Sequence, residues 1–134
     1  MTQQNTVRIS DLMVSGVKTI DGLATVAQAM AAMKEYNVSS LVVDRRNSDD
    51  ELGVITVTDI AREVVATNRA AERVNVYEIM SKPVLTVRGQ MQARYAARLL
   101  VHFGVSRTLV VDDAGNPMGI VTLRDMVMGL APAQ

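Results

Sequence analysis

A seven-residue pattern occurs twice in this chain, and the duplication limits what the chain can fold into. The first copy reads Gly53-Val-Ile-Thr56-Val-Thr-Asp59, and the second reads Gly119-Ile-Val-Thr122-Leu-Arg-Asp125. In each copy an apolar run ends in a threonine, and an aspartate three residues later opens an apolar segment compatible with a helix. The pattern predicts a strand, a tight turn and a helix start, with a hydroxyl and a carboxylate at the junction.

The duplication extends over most of the chain. Residues 9–39 match residues 76–106 without a gap at a separation of 67 positions, and Leu41-Val-Val-Asp44 matches Leu109-Val-Val-Asp112 at a separation of 68. The turn over residues 45–52 is two residues longer than its counterpart, and such length changes are tolerated at turns. A repeat on this scale predicts two copies of one structural unit.

Each copy predicts the element order β-α-β-β-α. Short strands at 19–20 and 84–87 are each followed by a glycine turn and then by a helix with one apolar stripe. Thr25 and Gln28 have the spacing of a capping box at the start of the first helix. The predicted buried stripes are Val26, Ala29, Met30, Met33 and Tyr36 in the first helix, and Ala93, Ala96, Ala97, Leu100 and Phe103 in the second.

The repeats divide the chain into five segments. We predict a polar tail over 1–8, a first repeat over 9–68, a linker over 69–75, a second repeat over 76–130 and a short tail over 131–134. A unit of about 60 residues with few strands is marginally stable alone, so we expect the two repeats to pack together with pseudo-two-fold symmetry. The predicted fold class is α/β (α+β).

Composition excludes several classes of function. The chain has 14 basic and 14 acidic residues, so no net charge attracts nucleic acid, and we do not expect a nucleic-acid partner. It has no cysteine and one histidine, which rules out disulfides, thiolate catalysis and a zinc site built from these residues. No apolar run is long enough for a membrane span, and residues 1–10 lack the apolar core of a signal peptide. We therefore expect a cytoplasmic protein without membrane contact.

The threonine and aspartate of the motif have complementary hydrogen-bonding chemistry. A carboxylate only accepts hydrogen bonds, so it repels phosphate but can accept from both hydroxyls of a diol such as ribose. A threonine hydroxyl can donate to a neighbouring phosphate, whose charge Arg107 could neutralise. The alternative is that Asp59 and Asp125 only cap their helices, the commoner role of a single T-x-x-D pattern. Duplication at matching positions shifts the balance toward binding, and both roles stay open.

The chain resembles a known family, the paired cystathionine-β-synthase (CBS) domains, also called the Bateman module. The resemblance rests on Asp11-Leu-Met13 and Glu78-Ile-Met80 before the first strands, on Val38–Asp44 and Val105–Asp112, and on the two G-h-h-T-x-x-D motifs. It implies two pseudo-symmetric β-α-β-β-α repeats packed as one Bateman module, with clefts between them that bind adenine nucleotides or related adenosyl ligands.

The resemblance also implies roles for individual residues. Asp59 and Asp125 would hold ribose hydroxyls, and Thr56 and Thr122 would bond the sugar or phosphate. The segments Thr19-Ile20 and Leu85-Thr86 would enclose adenine, and Arg107 would bind phosphate. No cofactor or metal is required and no catalysis is expected; AMP, ADP, ATP or S-adenosylmethionine would act as a regulatory ligand whose occupancy is relayed to an unknown effector protein.

The two repeats differ in charge at the expected sites. Ser40 stands in the first repeat where the second has Arg107, and the second motif also contains Arg124. We therefore expect Arg107, Thr122, Arg124 and Asp125 to suit a phosphorylated ligand better than Ser40, Thr56, Thr58 and Asp59 do, so that one cleft fills before two. The resemblance implies that each cleft takes residues from both repeats, so the sequence leaves open whether Arg107 serves the Asp59 side or the Asp125 side. The missing cation also leaves open an alternative, a constitutive dimerisation or interaction scaffold with empty or degenerate clefts.

The last helix predicts self-association. Met126, Val127, Met128 and Leu130 leave it almost no polar face, and an apolar helix surface must be covered. Little chain remains to cover it, so we expect a homodimer.

Overall fold

The computed structural model describes residues 6–132, which divide into two units that each contain one β-sheet. The first-repeat unit is Lys18–Val84, and the second-repeat unit joins the described residues up to Val17 to those from Leu85 onwards. In chain order the elements are α1 (Ile9–Leu12), β1 (Val14–Ser15), β2 (Thr19–Ile20), α2 (Val26–Tyr36), β3 (Ser40–Val43), β4 (Gly53–Thr56), α3 (Val57–Ile60), α4 (Val76–Ile79), β5 (Thr86–Arg88), α5 (Ala93–Phe103), β6 (Arg107–Val111), β7 (Pro117–Thr122) and α6 (Leu123–Gly129). Of the predicted tails, residues 1–5 and 133–134 lie outside the described residues.

The first-repeat unit has a three-stranded sheet in the order β2-β3-β4. Strand β2 runs parallel to β3, with Thr19 opposite Val42, and β3 runs antiparallel to β4, with Ser40 opposite Thr56. Strand β3 is buried along its whole length, in keeping with the apolar run Leu41–Val43 that follows its first residue, Ser40. The core of the unit consists of Val26, Ala29, Met33, Leu41, Val43, Ile55, Ile60, Val64, Val74, Val76 and Ile79.

The second-repeat unit has a four-stranded sheet in the order β1-β7-β6-β5. Thr86 of β5 lies opposite Leu109 of the parallel strand β6, and Arg107 lies opposite Thr122 of the antiparallel strand β7. The strand predicted at 84–87 begins instead at Thr86, and β1 is an added edge strand that the sequence did not predict. The core consists of Ile9, Val87, Ala93, Ala96, Leu100, Val110, Val121 and Met126. The predicted β-α-β-β-α order and the α/β class are confirmed.

The strand registers show where the separation between matching residues of the two repeats changes. Thr19 faces Val42 and Thr86 faces Leu109, so the separation of 67 continues through the central strands. The predicted step to 68 at Leu41 is therefore wrong. Val43 faces Gly53 and Val110 faces Gly119, so the length difference lies in the connection between these paired positions, which is one residue longer in the first repeat.

The two long helices have narrower buried stripes than predicted. The capping box at α2 is confirmed, since Gln28 N donates to Thr25 Oγ1 at 3.1 Å and Thr25 N donates to Gln28 Oε1 at 2.8 Å. The prediction is wrong for three side chains at the edges of the stripes, because Met30, Tyr36 and Phe103 are 40%, 44% and 59% exposed.

The two structural units exchange a short helix. The helix that precedes β2 belongs to the second-repeat unit, and the helix that precedes β5 belongs to the first-repeat unit. Helix α1 belongs to the second-repeat unit, where Ile9 is fully buried. Helix α4 belongs to the first-repeat unit, where Val76 and Ile79 are part of the core. The structural units thus differ from the sequence repeats by an exchange of these segments.

Candidate ligand-binding sites

The first Thr–Asp site consists of Ser40, Thr56 and Asp59. Thr56 ends β4 and caps α3: Asp59 N donates to Thr56 Oγ1 at 3.1 Å, and Thr56 N donates to Asp59 Oδ2 at 2.9 Å. Ser40 lies opposite Thr56 on β3, and Thr19 lies on the same face of the sheet because its partner Val42 is two residues beyond Ser40. The structure therefore brings Thr19, Ser40 and Thr56 onto one face of the sheet, and Asp59 lies in the helix that begins after Thr56.

The second Thr–Asp site consists of Arg107, Thr122 and Asp125. Thr122 caps α6 in the same reciprocal way, and both of its hydrogen bonds with Asp125 are 3.1 Å long. Arg107 is half-buried and lies opposite Thr122 on the neighbouring strand. Thr86, whose partner Leu109 is two residues beyond Arg107, lies on the same sheet face. Arg124 follows in the first turn of α6 and is exposed.

The two motifs do cap their helices, and capping alone does not use up their polar atoms. Each cap engages one carboxylate oxygen, Oδ2 of Asp59 or Asp125, and uses the threonine hydroxyl only as an acceptor. A hydroxyl has a hydrogen to donate in addition, and a carboxylate has a second oxygen with its own lone pairs. Capping and ligand binding are therefore compatible roles.

Sequence reasoning missed a cation at the first site. Helix α3 continues as a π-helical turn over Ala61–Val65, and from this turn Arg62 Nη2 donates to Asp59 Oδ1 at 2.9 Å. Arg62 Nε also donates to Glu63 Oε2 at 3.1 Å. The hydrogen bond to Glu63, followed by the interactions with Asp59, raises the pKa of Arg62 above its ordinary value. The i, i+3 spacing of Asp59 and Arg62 on a helix was the available signal.

Sequence reasoning also missed Thr108, which holds the backbone of Leu85-Thr86, the segment predicted to contact adenine in the second repeat. Thr108 is 3% exposed, and its hydroxyl donates to the carbonyl of Leu85 at 2.8 Å. The amide of Leu109 donates to the same carbonyl at 3.2 Å. These two bonds fix the backbone at Leu85, while Thr86 is exposed. In the first repeat the predicted segment has an exposed Thr19 and a half-buried Ile20. Because Thr19 is equivalent to Thr86 by strand register, the counterpart of Leu85 is Lys18, whose carbonyl accepts from the amide of Val42 at 2.9 Å.

A cavity in the first-repeat unit lies apart from the predicted site residues. It has a volume of about 630 Å³ and opens where β3 ends, at Val43 and Asp44, whereas Ser40 of the first Thr–Asp site begins that strand. Its lining includes Tyr77 and Lys82, which begin the second sequence repeat but belong to the first-repeat unit. None of the residues predicted to bind a ligand lines this cavity.

Neither a grouped metal-ligand set nor a membrane-spanning helix is found among the described residues. Within residues 6–132, no three histidine, aspartate or glutamate side chains are grouped so that they could hold a metal ion. In the same part of the chain, no helix has the length and apolar character that crossing a membrane requires.

Comparison with known proteins identifies the family. The CBS domain model matches residues 9–66 and again residues 76–131. A hexameric CBS-CP12 protein from bloom-forming cyanobacteria is 34% identical and superimposes with a TM-score of 0.87, over 91% of this chain and 67% of that one. An uncharacterised protein of Methanopyrus kandleri, MK0525, is 34% identical over 77% of this chain, which spans 52% of that relative's length.

A third relative has been crystallised with ligands. The CBS domain pair of the protein MJ0100, in complex with methylthioadenosine and S-adenosyl-L-methionine, is 24% identical and superimposes with a TM-score of 0.78, over 92% of this chain and 95% of that pair. At this identity the likeness concerns the fold. The two family matches and the shared fold lead to one conclusion: this chain belongs to the CBS domain family and carries the domain twice.

Proposed function

We propose that this chain is a non-catalytic regulatory module that binds an adenosine-containing ligand at its Thr–Asp sites and passes the occupancy to a partner protein. The observation that carries the proposal is the same Thr–Asp arrangement in both repeats of a CBS fold, at Thr56 and Asp59 and again at Thr122 and Asp125. The complex of MJ0100 with two adenosyl compounds supports this ligand class.

The proposed chemistry uses the atoms that capping does not engage. The aspartate accepts hydrogen bonds from the ribose hydroxyls, and the threonine hydroxyl donates to a sugar or phosphate oxygen. Arg107, on the strand beside Thr122, supplies positive charge for a phosphate. AMP, ADP, ATP and S-adenosylmethionine all present the required diol.

Signalling from such a site needs a difference in affinity between two arrangements of the protein. A ligand shifts a conformational equilibrium only by as much as it binds one state better than the other. The partner protein then reads the favoured state. We further propose that the module is cytoplasmic and works as a homodimer through the exposed apolar side of α6, where Val127 and Met128 are 53% and 55% exposed.

Thermal unfolding with AMP, ADP, ATP, S-adenosylmethionine and GMP tests the proposal. A ligand at about 100 times its dissociation constant should add about 2.7 kcal/mol to the free energy of unfolding. The double variant Asp59→Asn, Asp125→Asn should lose most of this shift, because an amide keeps one oxygen for the cap and replaces the other acceptor by a donor.

The control is Thr25→Ala, which removes the cap of α2 and leaves both Thr–Asp sites unchanged. It should lower stability by about 1 kcal/mol and retain the full ligand shift. Absence of a shift with every adenosyl compound, together with a protein free of co-purified nucleotide in native mass spectrometry, would overturn the proposal in favour of a constitutive scaffold.

A further inference from the structure

We infer that Arg62 is a specificity-determining residue that makes the first Thr–Asp site select adenosine ligands carrying an anionic group over neutral nucleosides. The inference rests on the proposed function and adds what kind of ligand the first site accepts. The sequence comparison of Ser40 with Arg107 suggests that this site lacks a cation, whereas Arg62 places a guanidinium directly on its carboxylate.

Arg62 occupies the acceptor that a ribose would need. Asp59 uses Oδ2 for the cap and Oδ1 for Arg62, so both carboxylate oxygens have a partner. The Asp59 side chain is only 9% exposed, while that of Arg62 is 59% exposed. The guanidinium therefore lies on the solvent side of a nearly buried carboxylate, and a diol that approaches Oδ1 competes with it.

The contact is suited to exchange. An ion pair with an exposed partner contributes little to stability because water and side-chain entropy oppose it, so Arg62 can leave Asp59. A neutral nucleoside that displaces Arg62 gives the guanidinium no new partner. A phosphorylated nucleoside offers it phosphate oxygens, which form charge-assisted hydrogen bonds with arginine. The same side chain thus opposes one ligand class and favours the other.

The second repeat lacks this element and serves as an internal comparison. Three residues after Asp125 stands Met128, followed by Gly129, where the first repeat has Arg62 and Glu63. Methionine cannot form an ion pair with a carboxylate. The basic residue predicted for the second site, Arg107, lies on a strand and not on the helix. The two sites therefore present positive charge from different elements.

The test measures AMP and adenosine affinities by isothermal titration calorimetry. A protein with Asp125→Asn isolates the first site, and Arg62→Met is then added to give that site the side chain of the second repeat. We expect adenosine to bind equally well or more tightly and AMP to bind more weakly, so that the preference for AMP falls at least about tenfold. Arg62→Lys should keep part of the preference, because it retains the charge without the two-donor geometry.

The matched control is Arg46→Met, which removes another exposed, ion-paired arginine of the same unit, one that pairs with Asp50, and leaves the AMP preference unchanged. Circular dichroism melting of each variant checks folding. An unchanged AMP preference in Arg62→Met, an equal loss of both ligands, or binding that disappears with Asp125→Asn alone overturns the inference while leaving the proposed function standing. Absence of binding by the wild-type protein overturns both.

Discussion

The two motif aspartates have the same backbone role and different side-chain surroundings. Both accept a hydrogen bond from the threonine that caps their helix. Asp59 is 6% exposed and pairs with Arg62, whereas the residue three positions beyond Asp125 is Met128. The charge around two equivalent aspartates thus depends on residues outside the motif. We propose that this difference, Arg62 against Met128, makes the two sites select different ligands.

Asp50 gives the first-repeat unit a pH-dependent contribution to stability. Lys82 Nζ lies 2.6 Å from Asp50 Oδ1, and Arg46 N donates to Oδ2 at 2.9 Å. These contacts, led by the one to Lys82, hold the pKa of Asp50 well below its usual range. Because the folded pKa is the lower one, the stabilisation is present above about pH 4 and is lost as the pH falls toward the folded value.

We therefore expect Asp50→Asn to lower the urea midpoint at neutral pH, with a smaller difference from the wild type at about pH 2.5. Asp49→Asn is the matched control, since it removes a neighbouring charge and keeps the contact with Lys82. A difference between wild type and Asp50→Asn that stays constant across this pH range would contradict the assignment.

Residue-level prediction from sequence succeeded where the interaction is local. The capping box of Thr25 and Gln28 spans three residues and depends on little else, so its spacing was enough to predict it. The Arg62–Asp59 pair is equally local. It was missed because the sequence comparison looked for a cation only at the strand position of Ser40 and Arg107, and Arg62 lies on the helical segment after Asp59. Thr108 was missed because its partner, the Leu85 carbonyl, is 23 residues away and its importance comes from burial.

At the scale of elements, periodicity predicted the helices and central strands, and it could not predict what pairs across long distances. Strand β1 has two residues, and it exists because Val14 pairs with Ile120 of β7. The exchange of α1 and α4 between the sequence repeats has the same origin, because it depends on contacts between distant segments. Local patterns contain no information about such partners.

The glycine that opens each motif marks a close approach of another segment. A Cβ atom on Gly119 would lie 2.5 Å from the carbonyl oxygen of Val14, and one on Gly53 would lie 3.1 Å from that of Ser81. Both contacts are with backbone, which cannot move aside without disturbing its own pairing. The sequence showed that the glycine recurs, and the structure supplies the reason.

Gly119→Ala should therefore detach β1 from β7. We expect a loss of about 1–3 kcal/mol in the free energy of unfolding, the usual range for forcing extra volume into a packed region. The amide of Gly16, which donates to Met118 O at 3.3 Å, should exchange faster with deuterium. Gly22→Ala is the control, because its nearest neighbour would be Val43 Cγ1 at an ordinary 3.4 Å. Unchanged protection of β1 in Gly119→Ala would refute the explanation.

At the scale of the whole molecule, several of the described helices expose apolar side chains. In α6, Met126 is fully buried, while Val127 and Met128 are more than half exposed. In the first-repeat unit an apolar groove of about 260 Å³ is lined by Met30, Val57 and Val65, among others. Surfaces of this kind in soluble proteins commonly mark interaction sites, which supports the proposed homodimer.

If the chain forms the proposed homodimer through α6, we expect Val127→Glu to convert it into a monomer, because a carboxylate buried in an apolar interface loses its hydration without gaining a partner. Sedimentation velocity over a range of protein concentrations measures the outcome. Leu23→Glu is the matched control: Leu23 is 72% exposed, belongs to the first-repeat unit and lies outside α6, so the dimer should persist in this variant. A dimer that survives Val127→Glu excludes the α6 surface as the interface. A wild-type chain that is monomeric at all concentrations rules out self-association and leaves this surface to a different protein, the relay partner of the proposed module.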